Sequence, residues 1–164
     1  MPLLSVRAKR VFTHPLYFAA FGFGSGLSPK APGTAGTIAA VPLYLLIAGL
    51  HPGIYAAVVF IAFVAGVAIC DWVARDMAVK DPGAIVWDEF VGLWIALFML
   101  PNGWYWLLIG FLLFRLFDIL KPWPVSYFDR EFTGGLGIMV DDVAAGLYSL
   151  IVLQISAYLV GLFL

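Results

Sequence analysis

Five carboxylates stand in three short acidic groups along the chain: Asp88-Glu89, Asp118 and Asp141-Asp142. Oxygen donors with few nitrogen or sulfur partners suit Mg²⁺, which takes one or two carboxylates and fills its shell with water and substrate phosphate. Neighbours on a helix point about 100° apart, so one member of each pair is expected to reach the ion. Glu89, Asp118 and Asp142 are the expected ligands. Each acid also has a plainer role open to it. Asp141 or Asp142 fits a helix cap, and Asp118 fits an ion pair with Arg115 or Lys121.

A second group lies in Gly22–Gly36, GFGSGLSPKAPGTAG, which carries five glycines with Ser28, Lys30 and Thr34 ahead of an apolar run. Glycines let backbone amides approach a ligand, and a helix N-terminus offers its free N–H groups to an anion. The segment therefore reads as a phosphate cradle, with Thr34 as N-cap and Lys30 as a point charge. It reads equally as an irregular loop leading into a capped helix. Lys121 and Arg130 are placed to grip phosphate oxygens or to anchor the chain at a membrane surface.

The elements that must position these residues are apolar. The chain has 164 residues, 63% hydrophobic and 12% charged, with a mean hydropathy of +1.01. A soluble domain carries about 45–50% apolar and about 25% charged residues, so a single membrane domain over residues 1–164 is expected. A net charge of −1 gives no reason to expect nucleic acid. The one cysteine, Cys70, excludes a disulfide framework, a thiolate zinc site or an iron–sulfur cluster built from this chain alone.

Charges fall in three blocks separated by the charge-free stretches Ala31–Leu50, Pro52–Cys70, Phe90–Phe114 and Val143–Leu164. A membrane-crossing helix needs about 20 apolar residues. Pro101-Asn102-Gly103 is a turn signal that splits the third stretch into spans near 85–100 and 104–120. The expected fold is thus an all-α, polytopic membrane bundle of about five embedded helices. Leu16–Leu27, short and broken by glycine, is expected to lie in the interface or re-enter. All nine Lys and Arg fall on one side of this topology, which the positive-inside rule assigns to the cytoplasm. Trp72, Trp87, Trp104, Trp123 and Tyr127 fall at the expected interfaces, and His14, His51 and Cys70 read as structural.

Several phosphatase chemistries lack their parts. Cys70 is followed six positions later by Asp76 rather than Arg, His14 precedes the core while His51 falls in the turn on the face opposite the acids, and no Asp-x-Asp occurs. Metal-assisted hydrolysis remains, in which a bound water becomes more acidic and charge on the phosphoryl oxygens is neutralised.

The runs GSGLSPKAPGTAG (24–36), WDEFVG (87–92), FDILKPWPV (117–125) and FDREFTGGLGIMVDDVAAG (128–146) resemble, in order, those of bacterial phosphatidylglycerophosphatase A. The resemblance extends from about residue 15 to the C-terminus. It implies an all-α enzyme of the bacterial inner membrane that requires Mg²⁺ and removes the terminal phosphate of phosphatidylglycerophosphate, a phospholipid substrate, at the cytoplasmic side. Asp88, Glu89, Asp118, Asp141 and Asp142 are then the catalytic acids, and Ser28, Lys30, Thr34, Lys121 and Arg130 the substrate-binding residues. The rival reading is a small cation channel or transporter with a carboxylate site at the cytoplasmic face. Transporters place such sites near the midplane on broken helices, whereas these acids fall at the ends of spans. Oligomeric state is not indicated.

Overall fold

The computed structural model describes residues 9–79 and 82–163. Arg7, Lys80 and Asp81, counted above among the charges, lie outside the described residues. The described chain is helical, with no strand: residues 9–13 (α1), then Pro15–Ala20 (α2), a 3₁₀ turn at Gly22–Leu27, Pro32–Ile47 (α3), Pro52–Asp76 (α4), Trp87–Ala96 (α5), Trp104–Leu120 (α6), Val125–Glu131 (α7) and Gly134–Phe163 (α8).

The expected helices are present, but five crossings do not follow from their lengths. Two of them, α4 and α8, are long and apolar enough to cross a membrane. With 10 residues, α5 rises only about 15 Å. Its C-terminal carbonyls, orphaned when the helix stops before Pro101, are taken up by side chains of its neighbours. Tyr55 donates to Trp94 O at 2.6 Å, Tyr44 to Leu97 O at 3.4 Å, and Gln154 Nε2 to Phe98 O and Met99 O at 3.1 and 3.0 Å. A helix end buried in apolar surroundings needs such partners.

The last helix begins at Gly134 rather than Val143, so Asp141 and Asp142 lie about two turns inside it. It can start early because Asp71 of α4 accepts a hydrogen bond from Gly135 N at 3.1 Å, a cap supplied from another helix. A Cβ on Gly135 would stand 2.0 Å from Val67 O, so only glycine lets α8 lie this close to α4.

Small residues also set α5 against α8. A Cβ on Gly146 would come within 2.4 Å of Gly92 O, and one on Gly92 within 2.8 Å of Asp142 O. The two backbones touch there, which brings Asp88-Glu89 and Asp141-Asp142 to the same end of the bundle. Leu16–Leu27 forms short helical pieces, with Tyr17, Ala20 and Phe21 buried in the core. Trp87 departs from its expected place at a membrane surface: its indole donates to Ala62 O at 3.0 Å and stacks on Phe90. His51 has the structural role expected of it, with its Nδ1 accepting from Gly53 N at 3.2 Å to cap α4.

Gly146→Ala is expected to push α8 off α5 and cost about 1–3 kcal/mol, seen as a lower unfolding temperature in detergent. An unchanged temperature would show that the backbones do not meet at this point.

Candidate active site

Three helices meet at one guanidinium. Arg115, in the last two turns of α6, places Nη1 at 2.6 and 2.5 Å from the two oxygens of Glu89 on α5. The same nitrogen lies 2.9 Å from Asp118 Oδ2 and 3.4 Å from Thr37 Oγ1 on α3. Thr37 itself donates to Glu89 Oε2 at 2.8 Å. These groups are largely withdrawn from solvent, with the Arg115 and Asp118 side chains each 14% exposed. Buried ions require paired charge and hydrogen bonds, and this cluster supplies both.

The glycine-rich segment joins the site by making room. A Cβ on Gly33 would fall 2.2 Å from Glu89 Oε1, and one on Gly36 would fall 2.6 Å from Val86 Cβ. The first turn of α3 therefore lies directly over the start of α5. Thr34 is not the N-cap: that position belongs to Ala31, at φ 47°, with no side-chain cap. Ser28 donates to Lys30 O at 2.7 Å within its own loop, and the Lys30 side chain is exposed. Among the described contacts, none links Ser28, Lys30 or Thr34 to the acids. The hydroxyl that reaches them is Thr37.

A second cation closes the other side. Lys121 ends α6 in a left-handed conformation, φ 43°, and Pro122 follows, which cannot continue the helix. The turn points its ammonium at Asp129 on α7, a short ion pair, and at Asp141 Oδ2 on α8, 2.8 Å away. Burial works against the Lys121 charge, but hydrogen bonds to Asp129 and Asp141 outweigh it and hold the ammonium above its ordinary range. Arg130 is exposed on α7, and no ion pair with a described residue reaches it.

Between α5, α7 and α8 lies a polar cavity of about 260 Å³, whose walls include Asp88, Asp129, Thr133, Gly134, Gly137 and Asp141. Asp142 is 3% exposed and lies within electrostatic reach of Asp88, Glu89, Asp118 and Asp141. Two carboxylate oxygens, Asp141 Oδ1 and Asp142 Oδ2, are buried without a hydrogen-bond partner. A larger cleft of about 390 Å³, lined by Tyr55, Val59, Phe63, Leu147 and their neighbours, is apolar and offers no charged group to a phosphate.

The five acids thus gather at one end of the bundle, but they do not close on a single ion. Among the described residues, no three His, Cys, Asp or Glu side chains are arranged to hold one metal between them. Glu89 and Asp118 are turned to Arg115, while Asp129 and Asp141 share Lys121. Arg115 entered the sequence reading only as a possible partner of Asp118, and Thr37 and Asp129 did not enter it. The one signal for Arg115 is a lone cation inside the apolar run WYWLLIGFLLFRLFDIL.

Residues 18–157 match the family described as Phosphatidylglycerophosphatase A. Phosphatidylglycerophosphatase A of Escherichia coli (strain K12) is 47% identical over 144 residues, covering 87% of this chain and 84% of that protein. Phosphatidylglycerophosphatase A of Haemophilus influenzae (strain ATCC 51907 / DSM 11121 / KW20 / Rd) is 46% identical over 148 residues, covering 88% of this chain and 90% of that protein. No solved structure matches.

Arg115→Met is expected to leave Glu89 and Asp118 buried and unpaired, at a cost of about 3–5 kcal/mol. Thermal unfolding in detergent measures this, and Glu89→Gln with Asp118→Asn in the same chain is expected to restore most of the loss. A single variant as stable as the parent would mean that the three helices do not depend on the ion pairs.

Proposed function

Since the chain belongs to the phosphatidylglycerophosphatase A family and is a phosphatase, we propose that it hydrolyses phosphatidylglycerophosphate to phosphatidylglycerol and inorganic phosphate. The observation that carries this reading is the polar cavity walled by Asp88, Asp129 and Asp141 at one end of an otherwise apolar bundle. Relatives named as phosphatases set aside the cation-channel reading of the same acids.

We further propose that the bundle is embedded in the bacterial inner membrane, with α3, α4, α5, α6 and α8 as five membrane helices and the acids at the cytoplasmic face. Supporting this are outward-facing apolar side chains on four of these helices, among them Leu46, Phe60, Leu112 and Ile151. Apolar surface of this extent is what a bilayer covers. The two tight turns opposite the acids, His51-Pro52-Gly53 and Pro101-Asn102-Gly103, carry no Lys, Arg, Asp or Glu.

The donor set fits Mg²⁺: it is all oxygen, and Asp141 Oδ1 and Asp142 Oδ2 are buried without partners. An ion that binds through one or two carboxylates plus water and phosphate needs no cage of three side chains. Of the acids Asp88, Glu89, Asp118, Asp141 and Asp142, those with free oxygens would hold it. When bound, Mg²⁺ neutralises phosphoryl charge and makes a coordinated water more acidic. The chain's own residues do the rest. Lys121 holds Asp129 and Asp141 in place and sets a positive charge beside the cavity wall. Phe132, Gly134, Gly137 and Ile138 complete the cavity wall around the acids. Lys30 and Arg130 draw the anionic headgroup toward the site, with Ser28 of the loop before α3 and Thr34 of its first turn offering hydroxyls.

Purified protein in detergent is expected to release phosphate from phosphatidylglycerophosphate with Mg²⁺ and not with EDTA. Asp142→Asn is expected to lower kcat by about 100-fold or more with an unchanged unfolding temperature. Activity near that of the parent would refute the reading of this acid. Lys30→Ala is expected to raise KM while leaving kcat in place; a fall confined to kcat would remove Lys30 from headgroup binding.

A further inference from the structure

The five acids differ sharply in what their oxygens already touch. Both oxygens of Glu89 are engaged: Oε1 by Arg115, and Oε2 by Arg115 and Thr37. The backbone at Gly33 covers the same carboxylate so closely that no Cβ fits. Asp118 Oδ2 is held by Arg115 as well. The other three acids make no contact with that guanidinium. Asp88 faces the cavity, and its Oδ1 accepts only from the Glu89 backbone at 3.0 Å. Asp141 pairs with Lys121 through Oδ2 and keeps Oδ1 without a partner. Asp142 is almost fully buried, with Oδ2 unpartnered.

We propose that Arg115 divides the five acids into two groups: Glu89 and Asp118 are positioning residues tied to the guanidinium, and Asp88, Asp141 and Asp142 hold the oxygens open to a divalent cation. This rests on the metal-dependent phosphatase reading above and refines the ligand set expected from sequence, keeping Asp142 and removing Glu89 and Asp118. The physical ground is the cost of an unpaired buried charge. Glu89 and Asp118 have their counter-charge in the protein, and a cation drawn to them would have to displace Arg115. Asp142 lies within electrostatic reach of Arg115 but forms no ion pair among the described residues, and a cation beside its neighbour Asp141 on the cavity wall would complete it. The pair still matters to turnover, because Arg115 joins the start of α5 to the end of α6 and so fixes where Asp88 faces the cavity.

Mn²⁺ binding to the purified, detergent-solubilised protein, followed by electron paramagnetic resonance, separates the two groups without reference to turnover. Asp88→Asn and Asp142→Asn are expected to weaken Mn²⁺ binding about tenfold or more. Glu89→Gln and Asp118→Asn are expected to stay within about threefold of the parent while lowering kcat. If a single variant does not fold, the combined variant Glu89→Gln, Asp118→Asn, Arg115→Gln removes all three charges and is expected to bind Mn²⁺ as the parent does. Loss of Mn²⁺ from Glu89→Gln, Asp118→Asn or the combined variant, equal to that from Asp88→Asn, would overturn the division. A parent protein that binds no Mn²⁺ and releases no phosphate would instead overturn the metal-dependent reading beneath it.

Discussion

One guanidinium holds the functional end of this bundle together. Arg115 is largely withdrawn from solvent, where a lone cation would be costly, and its cost is offset by Glu89, Asp118 and Thr37. Because these partners come from α5, α6 and α3, the requirement for pairing becomes a requirement on helix position. If α3 shifts, Thr37 leaves Glu89. If α6 rotates, Asp118 and Arg115 both move away. Lys121 repeats the device nearly two turns later, tying the end of α6 to α7 and α8 through Asp129 and Asp141.

Backbone contact at glycines supplies the complementary constraint. Gly92 against Gly146, Gly33 against Glu89, and Gly135 against Val67 each leave no room for a Cβ. Such contacts fix distance, whereas the ion pairs fix orientation. Together they explain how a helix of 10 residues, α5, carries two acids into the site while its far end is held by Tyr44, Tyr55 and Gln154.

Much of this is legible in the sequence. Charge-free stretches mark the helices, Pro101-Asn102-Gly103 marks the turn between α5 and α6, and the five acids are visible as a set. What stays hidden depends on contacts between distant segments. Asp141 and Asp142 look like a helix start because a long charge-free stretch begins right after them, and nothing local shows that Asp71 caps α8 at Gly135, 64 residues further along the chain. Thr34 looks like an N-cap from its place before an apolar run, but Ala31 takes that position and Thr37 reaches Glu89. Arg115 looks like a partner of Asp118 alone until α5 is packed beside it and brings Glu89 to the same guanidinium. The glycines read as a ligand cradle, yet Gly26 makes room for the backbone of Ala84, and Gly33 and Gly36 make room for the side chains of Glu89 and Val86.

The proposed reaction needs a divalent cation to meet the phosphate in the cavity beside Asp88, Asp141 and Asp142. Anomalous diffraction from crystals grown with Mn²⁺ tests this directly. A peak is expected in that cavity, about 2.0–2.6 Å from carboxylate oxygens of this group. A peak elsewhere in the bundle, with these oxygens left as they are, would contradict it.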